Sequence, residues 1–200
     1  MLKFLSFLNE QSGQHHVITF MRANPPTAGH EKVVDKVLET AKKLGATHSV
    51  ILSHSQDSSK NPLPPQQKLK HAKRAFPHAN VETSSPDHPT ILHHAVRAFQ
   101  GGAEHLHVVV GQDRVGQFTN LLNNYNGKES KHGMYNFKSI TVHSAGDRDP
   151  DAEGTEGISA TKMRSAAKSG DRATFHSGAS SAMSEKHKDD MMKDIQQNMR

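Results

Sequence analysis

The 200-residue chain contains no cysteine, which excludes a disulfide framework and a thiolate metal site. Hydrophobic residues make up only 33% of it, so much of the chain is expected in loops, exposed helix or tails. No apolar run approaches the length needed to span a bilayer, so no membrane segment is expected. Aromatics are sparse: two tyrosines and eight phenylalanines, without the interleaving of rings and basic residues that a nucleic-acid stacking platform requires. What the chain has in excess is positive charge, 25 Lys and Arg against 20 Asp and Glu, for a formal net charge of +5. A basic chain attracts polyanions. Nucleotide phosphates meet that requirement without a stacking platform, and nucleic acid ranks last among the partners.

Apolar periodicity organises the rest. His15 to Met21 is a β-branched run that ends at a Pro-Pro turn and reads as a buried strand. From Thr27 to Leu44 the pattern is helical, with Val33, Val34, Val37, Leu38, Ala41 and Leu44 on one face and Gly45 as a stop. Strands are expected again at His48–Ser53, Asn80–Ser84, His105–Val110 and Ile140–His143, and helices at Gln66–Phe76, Thr90–Gln100 and Val115–Asn124. This alternation predicts an α/β, doubly wound, Rossmann-like parallel sheet of about five strands with helices on both faces. The expected domain spans residues 14–177, after an N-terminal segment of residues 1–13. A small-residue linker, Gly178 to Ser181, leads to a C-terminal helix over residues 183–200 with Met191, Met192 and Ile195 on its apolar side. That helix is expected to pack on the domain edge; a partner-binding helix is the alternative.

Four short pieces carry the chemistry. After the first strand runs Arg22-Ala23-Asn24-Pro25-Pro26-Thr27-Ala28-Gly29-His30. A strand, a turn and a helix start present backbone N–H groups and the positive helix end to a phosphate. Thr27 suits the N-cap, His30 lies in the first turn, and Gly29 lets a ligand approach without a Cβ in the way. The second piece is Gly157 to Arg164, which opens a late helix: Ser159 and Thr161 offer hydroxyls beside Ile158, while Lys162 and Arg164 add charge and an Arg fork clamps phosphate. The third, Gly111-Gln112-Asp113-Arg114, follows the fourth strand, where open sheets bind ligands. Asp113 suits a ribose hydroxyl or an amino group. The fourth is Lys60-Asn61-Pro62-Leu63, whose lysine reaches for an acceptor phosphate. Each piece alone also has a plain structural reading as a capped helix, a turn or a solvated cation. The paired histidines His15/His16, His93/His94 and His105/His107 lack the spacing of a zinc site and read as solvated or edge residues, although His105 and His107 share a strand face.

Taken in order, T-x-G-H, G-x-D and I-S-x-T-x-x-R resemble the nucleotidyltransferase superfamily. The nicotinamide-mononucleotide, phosphopantetheine and glycerol-phosphate enzymes belong to it. The run N-P-P-T-x-G-H, the K-N-P-L loop, G-x-D-R-V, S-A-G-x-R-D-P-D at Ser144 to Asp151 and T-K-M-R resemble the cytidylyltransferase-like proteins of large tailed phages. The likeness covers roughly residues 15–177. Two positions depart from the superfamily pattern: Met21 stands where Gly is usual and Ala23 where an aromatic is usual. Thr27 replaces the first His of H-x-G-H, as is normal in the phosphopantetheine branch.

The resemblance implies transfer of AMP or CMP from ATP or CTP to a phosphate-bearing small acceptor, with release of pyrophosphate and with Mg2+ bridging phosphate oxygens. It assigns catalytic roles to Thr27, His30, Lys60 and Arg164, and nucleotide contacts to Arg22, Asn24, Gly29, Gly111, Asp113, Arg114, Ile158, Ser159, Thr161 and Lys162. No protein-bound metal cage is expected. The N-terminal Met1 to Glu10 resembles the leaders of phage internal head proteins, which are cut after Leu-x-Glu; Leu8-Asn9-Glu10 fits, and an N-terminal docking helix fits equally. The expected location is the host cytoplasm, or a virion reached through capsid partners of this segment. Met21 and the leader-like start motivate the alternative, a non-catalytic nucleotide-binding head protein that keeps the fold.

Overall fold

A computed structural model describes residues 14–146 and 158–199. Residues 1–13, 147–157 and 200 lie outside the described residues, and with them the leader-like segment, Gly157 and the end of the Ser144–Asp151 run. Five parallel strands form one sheet: β1 (His15–Met21), β2 (Thr47–Leu52), β3 (Val81–Thr83), β4 (His105–Val110) and β5 (Ser139–Ser144). Their order is β3-β2-β1-β4-β5, the doubly wound Rossmann-like arrangement. The helices are α1 (Ala28–Leu44), α2 (Pro65–Ala75), α3 (Ile91–Gln100), α4 (Val115–Tyr125), α5 (Ala160–Ser169), α6 (Arg172–Gly178) and α7 (Glu185–Asn198).

The central strands β1, β2 and β4 bury consecutive residues because both faces of the sheet are covered there. Along β1, Val17 enters one core with Val34 and Val37 of α1, Ala72 and Ala75 of α2, and Met163 of α5. Its neighbour Ile18 enters the other core, with Ile91 and Leu92 of α3 and Phe118 and Leu122 of α4. The chain winds β1-α1-β2-α2-β3 outward on one side. It then crosses back through α3 to β4, beside β1. Strand order therefore reverses between β1 and β4, which opens a crevice at their carboxyl ends. No described helix is long and apolar enough to cross a membrane.

The segment expected to be a linker is packed instead. Gly178 is the last residue of α6, Ala179 and Ser180 are buried, and the Ser180 hydroxyl donates to the Ala75 carbonyl at 2.8 Å. Small residues are needed there: a Cβ on Gly178 would lie 2.4 Å from Ile158 Cγ2. Small side chains bring backbones together as readily as they free them, and composition alone does not say which. The helix α7 then buries Met191, Met192 and Ile195 in the same core as α1 and α2. It is fastened by Asp194 to Lys70 and the buried His71, each at 2.7 Å, and by Asp189 to Arg172 and His176.

The histidines expected to be solvated are not all so. His94 is 3% exposed and His107 is 7% exposed. Parallel register puts His15, His107 and His143 on adjacent strands. The His107 ring joins His15 through Nε2 and His143 through Nδ1, both at 2.9 Å. Burial lowers the pKa of His107 from 6.5 to about 4, with the neighbouring histidines adding to the effect. Neutral rings can hydrogen-bond in a row where charged ones would repel. Among the described residues no group of three or more His, Asp or Glu is arranged to hold a metal ion.

Candidate functional site

The helix α1 starts at the carboxyl end of β1, with Thr27 as its N-cap in extended conformation. The Thr27 N–H donates to His30 Nδ1 at 3.2 Å, and the His30 N–H returns to Thr27 Oγ1 at 3.3 Å. The hydroxyl itself lies 2.8 Å from Nδ1. A ring nitrogen that accepts a backbone N–H carries no proton, so the neutral His30 imidazole holds its hydrogen on Nε2. The cap thus fixes the tautomer and makes Nε2 a donor. Gly29 is exposed in the same turn, and a Cβ there would meet only Thr27 Oγ1, at 3.6 Å. The fold has room for a side chain at position 29 without strain.

The same cap recurs at α3, where Thr90 Oγ1 lies 2.8 Å from His93 Nδ1 and the Thr90 N–H donates to that nitrogen at 3.4 Å. A T-x-x-H cap is therefore a local device of helix starts in this chain, and the surroundings distinguish the two. Beside Thr27, three loops meet on Asn24. Its amide donates to the Leu63 carbonyl at 2.9 Å and accepts from the Leu63 N–H at 3.0 Å. Its own carbonyl accepts from Arg164 Nη1 at 2.9 Å, while Arg164 Nη2 donates to Thr161 Oγ1 at 3.0 Å. Asn24 is 2% exposed, and Ala23 before it holds a positive φ of 41°. A left-handed alanine costs about 1 kcal/mol and persists because these bonds hold the turn.

The Leu63 side of this junction is organised by Asp57. Its Oδ1 accepts from the N–H groups of Ser59 and Lys60 at 3.0 and 2.6 Å and from the Ser59 hydroxyl at 2.9 Å, while Oδ2 takes Asn61 Nδ2 at 2.5 Å. These bonds, the Lys60 N–H first, hold the Asp57 carboxyl well below the ordinary carboxylate range. They close the loop and leave Lys60 exposed on it. Beneath the loop, the buried Lys68 donates to the carbonyls of Ser53 and Ser55, and burial lowers its pKa to about 8.

The Arg164 side is organised by α5. Ser159 caps that helix, accepting from the Lys162 N–H at 3.2 Å. Ile158 packs against Gly178 and the core, so a nucleotide contact there falls to its backbone. Burial lowers the Arg164 pKa, the Asp57 charge opposes that shift, and Arg22 adds to it. Arg22 and Asp57 thus both act on Arg164, and Arg22 and Lys162 are exposed near it.

Gly111 to Arg114 follow β4, the strand beside β1, so they stand at the same end of the sheet. Gln112 N–H donates to the Gly146 carbonyl at 3.2 Å, tying this turn to the loop after β5. Asp113 and Arg114 are exposed. A Cβ at Gly111 would fall 2.8 Å from Asp113 Oδ1, so a side chain there would displace the exposed Asp113 carboxylate.

The structure therefore brings together Thr27, His30, Asn24, Thr161, Arg164 and the Lys60 loop, with Gly111–Arg114 on the flank. It gives Asn24 a linking role: both polar ends of its amide are engaged by Leu63. Sequence reasoning missed Asp57 and Lys68. An Asp two residues before a Ser in a polar loop is a turn signal that points to the first; no local pattern points to the second. In comparisons with known proteins, no family model and no curated protein matches the chain.

Proposed function

We propose that the protein is a nucleotidyltransferase of the superfamily its motifs resemble, moving AMP or CMP from an NTP to a phosphate-bearing small acceptor and releasing pyrophosphate. The observation that carries this reading is the junction on Asn24, which gathers the start of α1, Arg164 and the Lys60 loop at the switch point of a parallel sheet, where phosphates are commonly bound.

The acceptor phosphate is already an anion, so the reaction needs neither a nucleophilic side chain nor a strong base. Its oxygen attacks the α-phosphorus of the NTP, the bond to the bridging oxygen breaks, and pyrophosphate departs. The chain's work is positioning and charge stabilisation. Thr27 and the Nε2–H of His30 would face the triphosphate with the N–H groups of α1. Arg164, Ser159 and Thr161 would hold the departing β- and γ-phosphates, with Arg22 and Lys162 adding positive field. Lys60 would seat the acceptor phosphate, and Asp113 would orient the nucleoside with Gly111 and Arg114 around it. Magnesium would enter with the triphosphate, held by phosphate oxygens and water. Asp57 does not fit as its ligand, because its own loop engages both carboxylate oxygens.

The test is pyrophosphate release from ATP or CTP with Mg2+ and a panel of phosphorylated acceptors, including nicotinamide mononucleotide. Turnover that collapses in His30→Ala supports the reading. Silence across the panel, with His30→Ala no different in nucleotide binding, sinks it. Nucleotide binding without turnover selects the second reading, a non-catalytic binding protein; Met21, half-buried at the end of β1 where the superfamily has Gly, favours that outcome.

A further inference from the structure

A cavity of about 330 Å³ lies between α3 and the amino-terminal halves of β1 and β2, at the opposite end of the sheet from the Asn24 junction. Its size is at the small end of ligand pockets. One wall is apolar: Ile18, Ile51, Ala98 and Ala103. The other is polar. His16 lies 2.6 Å from the Thr47 hydroxyl and 3.4 Å from that of Ser49, and all three line the space. His94, also on the wall and 3% exposed, has no hydrogen-bond partner at either ring nitrogen, although the His88 backbone is near enough to favour its charged form slightly. A buried ring nitrogen left short of partners is a cost that a ligand can remove.

At the rim stands Arg97, paired with Glu82 through one Nη2; their side chains are 55% and 30% exposed. The positive field of Arg97 reaches both His16 and His94, where it adds to burial in holding each pKa at about 4. Both rings are therefore neutral at pH 7, and Arg97 is the cation of the cavity. Glu82, the one carboxylate on this wall, is held by Arg97, whose guanidinium has further N–H donors beyond that bond.

We propose that this cavity binds a small organic carboxylate, with its apolar stem on Ile18, Ile51 and Ala98 and its carboxylate facing Arg97, His16 and His94. The site is separate from the proposed phosphate site and does not depend on it. A carboxylate at Arg97 opposes the field on the two histidines and so raises their titration points.

The experiment follows the His16 and His94 ring signals of the full chain by NMR while butyrate or benzoate is added, with inorganic phosphate and butanol as controls for the charge and the stem alone. The expected result is a saturable shift with either carboxylate, higher titration points for both histidines in the bound state, and no saturable shift with either control. Arg97→Gln, at the exposed rim, should weaken binding about tenfold by removing the charged fork. Ala98→Leu should block the site while the far-UV circular dichroism of the chain is unchanged. No saturable shift with either carboxylate overturns the proposal. So does binding that survives Arg97→Gln, or an equal response to inorganic phosphate.

Discussion

Asn24 and Leu63, 39 positions apart, exchange two hydrogen bonds in the core of the candidate site, the side-chain amide of one matching the backbone N–H and C=O of the other. Leu63 is fully buried. Removing the amide strands two polar groups where water does not reach. Asn24→Ala should cost about 3 kcal/mol, from two unpaired groups at about 1–3 kcal/mol each. Urea denaturation should show a lower midpoint with an unchanged slope. On the proposed function the same variant should lose turnover more completely than stability, because the lysine loop hangs on this amide, whereas Arg164, bound to the Asn24 backbone carbonyl, keeps its partner.

The two T-x-x-H caps allow an internal control. His30→Ala and His93→Ala each remove one side of a cap and should each cost about 1 kcal/mol in thermal or chemical denaturation. Only His30→Ala should weaken nucleotide binding by calorimetry. Equal loss of binding in both would mean that a general effect on helix starts, and not a local phosphate contact, is being measured.

Two glycines separate ligand space from packing space. A Cβ at Gly29 meets Thr27 Oγ1 at 3.6 Å, an ordinary contact, whereas one at Gly178 meets Ile158 at 2.4 Å. Gly29→Ala should therefore fold with unchanged or slightly raised stability and bind nucleotide poorly. Gly178→Ala should lose about 1–3 kcal/mol through overpacking. A Gly29→Ala variant that binds ATP normally would remove the close phosphate approach from the proposal.

The buried histidines set an acid limit. His16, His94 and His107 have pKa values lowered from 6.5 to about 4, by burial first in each case. Above pH 6.5 both folded and unfolded chains hold these rings neutral, and no pH effect arises from them. Between 6.5 and about 4 the unfolded chain binds their protons and the folded chain does not, so stability falls as the pH falls. Each such proton contributes a slope of about 1.4 kcal/mol per pH unit. Melting temperature measured from pH 7 to pH 4 should drop steadily. His107→Gln, which keeps hydrogen-bonding capacity without that titration, should flatten part of the curve.

Much of the fold was legible because its signals are local. The run His15–Met21, the apolar stripe from Val33 to Leu44 and the cap at Thr27 depend on neighbours within a turn or a strand, and the observed elements lie within a residue or two of the expected ones. The helix Arg172–Gly178 was not expected, because its seven residues are too few for a periodic stripe to emerge. The small residues after it read as a linker because composition does not distinguish a flexible joint from a close contact.

The chain's sequence by itself determined the alternation of strand and helix, the helix-start geometry of Thr27 and His30, and the placing of glycines and cations in the loops. These follow from steric and hydrogen-bonding preferences over a few residues. Only the tertiary structure decided that Arg164 reaches the Asn24 carbonyl across 140 positions, that Leu63 closes on the same residue, and that His15, His107 and His143 form a row. The physical reason is the strand order β3-β2-β1-β4-β5. Crossing back to β4 sets β1 at the centre of the sheet, and residues distant in sequence then share one end or one face without any local pattern to announce it.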